Sequence, residues 1–111
     1  GICLDDRREH LIVRDGRKLL RFRVGTRDHP AQPEVLMDSI EVFYLCAGRQ
    51  NMIYASTTNN VIGLGGHRRT QTLSVNNLNA PVGLALGGAG FDRNSLYVAE
   101  AGGIVRVPIG K

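Results

Sequence analysis

Short apolar runs separated by clusters of turn-forming residues make up most of the chain. The runs are rich in Val, Ile, Leu and Tyr, and Gly, Asn and Asp punctuate them. That is the pattern of strands joined by tight connections. No stretch of about 11 residues or more keeps an apolar stripe at the helical period, so no long helix is expected.

The runs repeat. Gly1-Ile2-Cys3-Leu4 and Leu11-Ile12-Val13-Arg14-Asp15 line up with Val42-Phe43-Tyr44-Leu45 and Met52-Ile53-Tyr54-Ala55-Ser56, then with Gly83-Leu84-Ala85-Leu86 and Leu96-Tyr97-Val98-Ala99-Glu100. Leu11 and Met52 are 41 residues apart, and Met52 and Leu96 are 44 apart. Blade-forming repeats run at about 40–50 residues. Leu11 through Val24 can be laid over Leu96 through Ile109 without a gap, an agreement over 14 positions. The middle copy needs one inserted residue, at Thr57-Thr58-Asn59-Asn60, before Val61-Ile62-Gly63-Leu64. Asp15-Gly16, Asn59-Asn60 and Gly102-Gly103 fall between the second and third strands of each copy. These residue types tolerate the positive φ of tight hairpins.

Outer strands are placed at Glu34–Met37 and Thr70–Val75, flanked by polar residues as edge strands should be. The third copy stops at Lys111, where its outermost strand should begin, so the strands number four, four and three. The fold class expected is all-β: a partial β-propeller of about two and two-thirds four-stranded antiparallel blades. Blade 1 covers about residues 1–37, blade 2 about 40–76, and an incomplete blade 3 about 82–111.

Leu78-Asn79-Ala80-Pro81-Val82-Gly83-Leu84-Ala85-Leu86, Ser95-Leu96-Tyr97-Val98-Ala99-Glu100 and Gly103-Ile104-Val105-Arg106-Val107 resemble a blade of the NHL-repeat propellers and of the related gluconolactonase-like six-bladed propellers. The shared pattern is Pro, one residue, Gly and an apolar triplet, followed by a Leu-Tyr-Val-Ala-acid strand. In that pattern Pro81 stiffens the approach to the innermost strand, Gly83 lets the backbone pass close to the central channel, and the acid ends the second strand at a turn. The resemblance is weaker for Gly1–Val24. It is weakest for the middle copy, where Asp38-Ser39-Ile40-Glu41 lacks Pro-x-Gly and Ser56 replaces the acid. With no Trp, the WD40 pattern is absent.

The 111 residues are 42% hydrophobic and 22% charged, ordinary values that exclude a disordered tail and a disulfide-dense miniprotein. No apolar run approaches the ~18–20 residues of a membrane-spanning helix, and no signal peptide is visible. The net charge of +4 would favour phosphates only if the basic residues clustered. Residues 1–50 instead interleave nine basic with eight acidic side chains, and only Arg68-Arg69 adjoin in the remainder. That is a solvated surface. Cys3 and Cys46 lack metal or redox spacing and read as free thiols, which favours a reducing, cytoplasmic-type compartment and a soluble protein.

Candidate chemistry thins out on inspection. Asp5, Asp6, Glu9 and His10 fall in a turn where polar residues are expected. His29 and His67 have no spaced partner for zinc. Gly63-Leu64-Gly65-Gly66 has neither the Lys nor the helix of a phosphate loop. Neither cysteine has a base beside it to act as a nucleophile. The aromatics fall mainly within strands, so nucleic-acid binding is not expected. The resemblance implies, in its hydrolase branch, a Pro-Asn-Gly triplet supplying a ligand to calcium or another divalent metal; here the triplet is Pro81-Val82-Gly83, and valine cannot ligate. The expectation is therefore a non-catalytic NHL-type binding scaffold without a cofactor, a fragment of a longer propeller. Its partners would be a protein and the missing blades or further copies of the chain. The alternative is part of a metal-dependent gluconolactonase-like hydrolase. Arg14, Asp15 and Glu100, which end second strands near one face, are the candidate partner-binding surface.

Overall fold

The computed structural model describes residues 2–4, 9–23, 33–39, 41–50, 52–65 and 70–109. The chain is all-β, with eleven strands in three antiparallel sheets and no helix among the described residues. Sheet 1 holds β1 (Ile2–Leu4), β2 (His10–Asp15), β3 (Lys18–Arg23) and β4 (Glu34–Met37). Sheet 2 holds β5 (Tyr44–Ala47), β6 (Ile53–Ser56), β7 (Val61–Gly65) and β8 (Thr70–Val75). Sheet 3 holds β9 (Gly83–Leu86), β10 (Ser95–Glu100) and β11 (Gly103–Pro108). Each sheet is a meander in which every strand pairs with its chain neighbour. The first strands of the sheets adjoin, β1 against β5 and β5 against β9, so the sheets stack like successive blades.

Hairpin chemistry sets the strand ends. Asp15 pairs with Lys18 across a two-residue turn, and Glu100 pairs with Gly103 across another. Gly16 (φ 62°) and Gly102 (φ 96°) supply the left-handed backbone that such turns demand. The middle hairpin has no glycine. Thr57 N–H donates to the Asn60 carbonyl at 2.8 Å and closes the turn. Gly103 and Asn60 stand just outside the turns, Gly103 as the first residue of β11.

Register revises the repeat. Taking each hairpin as the reference, Leu11, Ile53 and Leu96 occupy one position, and Val13, Ala55 and Val98 another. The separations become 42 and 43 residues, and the middle copy needs no insertion. Sliding its second strand by one residue absorbs the gap expected at residues 57–60. The innermost strand of sheet 2 also moves, from the expected 42–45 to Tyr44–Ala47. The run Val42-Phe43-Tyr44-Leu45-Cys46-Ala47 is apolar throughout, so it carries no alternation to mark a start. Val42 is fully buried ahead of the strand, with Ala55 and Ile62.

The faces alternate by strand parity. Ile12 and Leu19 on one side of sheet 1 pack on Ile53 and Leu64 of sheet 2. Tyr54 and Val61, on the other side of sheet 2, pack on Leu96, Val98 and Val107 of sheet 3. Each sheet thus has two distinct faces: a back, which in sheets 1 and 2 meets the next sheet, and a front, which in sheets 2 and 3 meets the preceding one.

Candidate functional site

The revised register exposes a device absent from the sequence reading. Tyr54 and Tyr97 are equivalent, as are Gly48 and Gly87, which follow the innermost strands of sheets 2 and 3. A methyl group on Gly48 would lie 2.5 Å from Cε2 of Tyr54, and one on Gly87 would collide with the Asp92 carbonyl and meet the Tyr97 ring at 3.0 Å. The glycine–tyrosine contact closes the end of the sheet opposite the β2–β3-type hairpins. At Gly83, by contrast, an added methyl would meet only Ala99 at an ordinary 3.7 Å. Within the sheet, the glycine held against neighbouring backbone is Gly87.

At the hairpin end, the segments linking one sheet to the next are tied down by side chains. Arg17 reaches Glu41 at 3.6 Å and the Ser39 carbonyl at 3.5 Å. Ser39 (φ 56°) donates its N–H to Asp38 Oδ1 at 2.8 Å. In the next linker Asn79 donates its backbone N–H to Glu100 Oε2 at 2.8 Å and its Nδ2 to the Ala101 carbonyl at 3.1 Å. Leu78 N–H donates to the Asn59 carbonyl at 2.8 Å. Between the first two sheets this leaves a polar cleft of about 440 Å³, lined by Arg17, Ser39, Glu41 and residues 57–60. The Arg17–Glu41 pair is well exposed, so it orients the rim and contributes little stability.

The three sequence-derived candidates all lie at this end, yet their bonds go separate ways. Arg14 donates Nε–H to the Gly16 carbonyl at 3.1 Å and stands 5.9 Å from the ring centre of Phe43. Asp15 sits exposed opposite Lys18. Glu100 holds the linker through Asn79. Sequence reasoning missed Arg17, Ser39, Glu41, Thr57, Thr58 and Asn79, because nothing in a linear pattern says which hairpin a linker will cross. The asparagine-rich 57–60 turn was the one available signal.

No protein-family model matches the chain, and no curated protein matches it. The remaining chemistry therefore rests on geometry. Among the described residues no three His, Cys, Asp or Glu side chains gather as a metal site. Asp5, Asp6, His29, Gly66, His67, Arg68 and Arg69 lie outside the described residues. Neither Cys3 nor Cys46 is in a disulfide. Burial pushes the Cys46 thiol up despite a backbone hydrogen bond from Leu86 that opposes the shift, the reverse of what activates a nucleophile. Burial likewise raises the Tyr54 hydroxyl, reinforced by Cys46 opposite it. Asp92 is held below the ordinary carboxylate value by the Ser95 hydroxyl at 2.6 Å and the Asn94 N–H at 3.0 Å. It orders a turn. Among the described residues no helix is long and apolar enough to cross a membrane.

Proposed function

We propose that the chain is a non-catalytic, NHL-type propeller scaffold that binds a protein partner at the hairpin end of its sheets. The polar cleft between the first two sheets carries this reading. Its lining offers guanidinium, hydroxyl and carboxamide groups, the set that recognises the main chain and polar side chains of a peptide. It is positioned by a rigid sheet stack, as binding loops commonly are. The reading needs no cofactor. A metal-dependent hydrolase of the gluconolactonase-like kind is the competing proposal, and it requires ligands from elsewhere in a longer chain.

Peptide-display selection on the immobilised protein tests the scaffold. Enriched peptides should lose binding to the Arg17→Ala and Asn59→Ala variants and keep it on Arg93→Ala, a change in the β9–β10 loop. Peptides indifferent to the cleft substitutions, or calcium-dependent turnover of lactones by the purified protein, would overturn the reading.

A further inference from the structure

The chain uses one interface twice: the back of sheet 1 on the front of sheet 2, and the back of sheet 2 on the front of sheet 3. Both halves of that interface are also left open. The open back belongs to sheet 3. Its Ile104 occupies the position of Leu19 and Val61, yet those two are fully buried and Ile104 is 74% exposed. The open front belongs to sheet 1. Its Leu11 and Val13 occupy the positions of Ile53 and Ala55 and of Leu96 and Val98. The equivalents are buried, whereas Leu11 and Val13 are only half-buried, and the neighbouring Ile2 is 63% exposed.

The two faces differ in relief. The back of sheet 3 is hollow, because the small residues Gly83, Ala85 and Ala99 share that face with Tyr97 and Ile104. Two shallow depressions there measure about 300 and 240 Å³. The front of sheet 1 carries large side chains instead, with Ile2, Leu4, Leu11, Val13, Leu20 and Phe22 on one side of the strands by register and Leu20 alone among them buried. Exposed apolar surface of this kind marks an interaction site.

From these observations we infer that a second copy of this chain docks head to tail, the front of its sheet 1 seated on the back of sheet 3. The contact continues the chain's own interface and is heterologous, so it closes a ring or extends a row according to the rotation per step. Two copies bring six sheets together, within the range of about 4–8 blades that closes a propeller. The inference is independent of the polar cleft, which lies at the hairpin end and not on either face.

Sedimentation analysis of the full chain at micromolar concentration tests it, with Ile2→Lys and Ile104→Lys as single variants. Both substitutions replace exposed side chains, and circular dichroism and melting confirm that each variant folds. The wild-type chain should sediment as a dimer if two copies close the ring, or as longer species if the row extends, and each variant as a monomer. An equimolar mixture of the two variants should regain a dimer, because one copy retains an intact back and the other an intact front. A monomeric wild type overturns the inference. So does a dimer that only one substitution disrupts, which signals a symmetric front-to-front or back-to-back contact, and so does a mixture that stays monomeric. Cleft-directed peptide binding by a monomeric wild type would leave the scaffold reading standing while this one fell.

Discussion

The middle sheet and its two neighbours are built from the same repeat and are buried to very different degrees. Every residue of β6 is buried, as are Val61, Ile62, Gly63 and Leu64 of β7. In β11, the equivalent of β7, only Val107 is buried, and in β2, the equivalent of β6, only Ile12. Composition does not explain the contrast, since Ile104-Val105 is as apolar as Val61-Ile62. What differs is the number of neighbours. A sheet with a neighbour on each side is covered on both faces and tolerates near-continuous apolar sequence, as doubly covered sheets do. A terminal sheet keeps one apolar face uncovered.

The sharpest break in the comparison comes from one repeat position. Leu19→Ala should cost about 2–5 kcal/mol, the usual range for truncating a buried leucine. Ile104→Ala should change the stability of the isolated chain by about 0.5 kcal/mol or less, as an exposed substitution does. Urea unfolding of the two variants, at concentrations low enough to keep the chain monomeric, measures both. Equal losses under those conditions would mean that the back of sheet 3 is covered within a single chain. The glycine–tyrosine contacts come next. Gly87→Ala should cost about 1–3 kcal/mol, as overpacked sites do. Gly48→Ala should cost less, because a Tyr54 ring edge can yield where the Asp92 backbone cannot. Thermal melts of the pair rank them.

A smaller effect is expected at Tyr97, whose hydroxyl accepts the Asp92 N–H at 3.0 Å and whose ring meets Phe91 edge-on at 5.3 Å. Tyr97→Phe should lose about 1 kcal/mol, the net value of one hydrogen bond, with faster amide exchange confined to the 88–95 turn. The Arg21–Glu34 pair, bonded at 2.9 and 3.0 Å to the two carboxylate oxygens, should give a coupling of about 1 kcal/mol or less in a double-mutant cycle.

The smallest effect is the acid limb of sheet 3. The folded Asp92 carboxyl titrates below its unfolded value, so near pH ~4 the unfolded chain binds more protons. The stabilisation is present above the unfolded value and is lost as pH falls through the folded one. Ser95→Ala should flatten that loss slightly in acid titrations followed by tyrosine fluorescence. A steeper loss would refute the assignment.

The strands and hairpins were largely legible in the sequence, because turn residues such as Gly16 and Gly102 mark them locally. The four-four-three grouping was legible because the second and third strands of each copy keep their spacing. The exact phase of the middle copy was not. Alternation reveals which residues point inward only when one face is wet, and around β6 both faces are dry. The chain from Val42 to Ala47 and from Met52 to Ala55 therefore reads as apolar in any register, and Tyr54 was matched to Val98 instead of Tyr97. The candidate surface was partly legible. Asp15 and Glu100 do end equivalent strands, but the cleft is made by linkers, whose paths depend on how far one sheet turns from the next.

By itself, then, the sequence determined an all-β chain of repeated antiparallel meanders, since strand propensity and turn chemistry act within a few residues. Only the tertiary structure decided the register between copies, the cleft and the open faces. Those depend on which sheet lies against which, and a residue as apolar as Ile104 is core or surface according to whether another sheet is there to cover it.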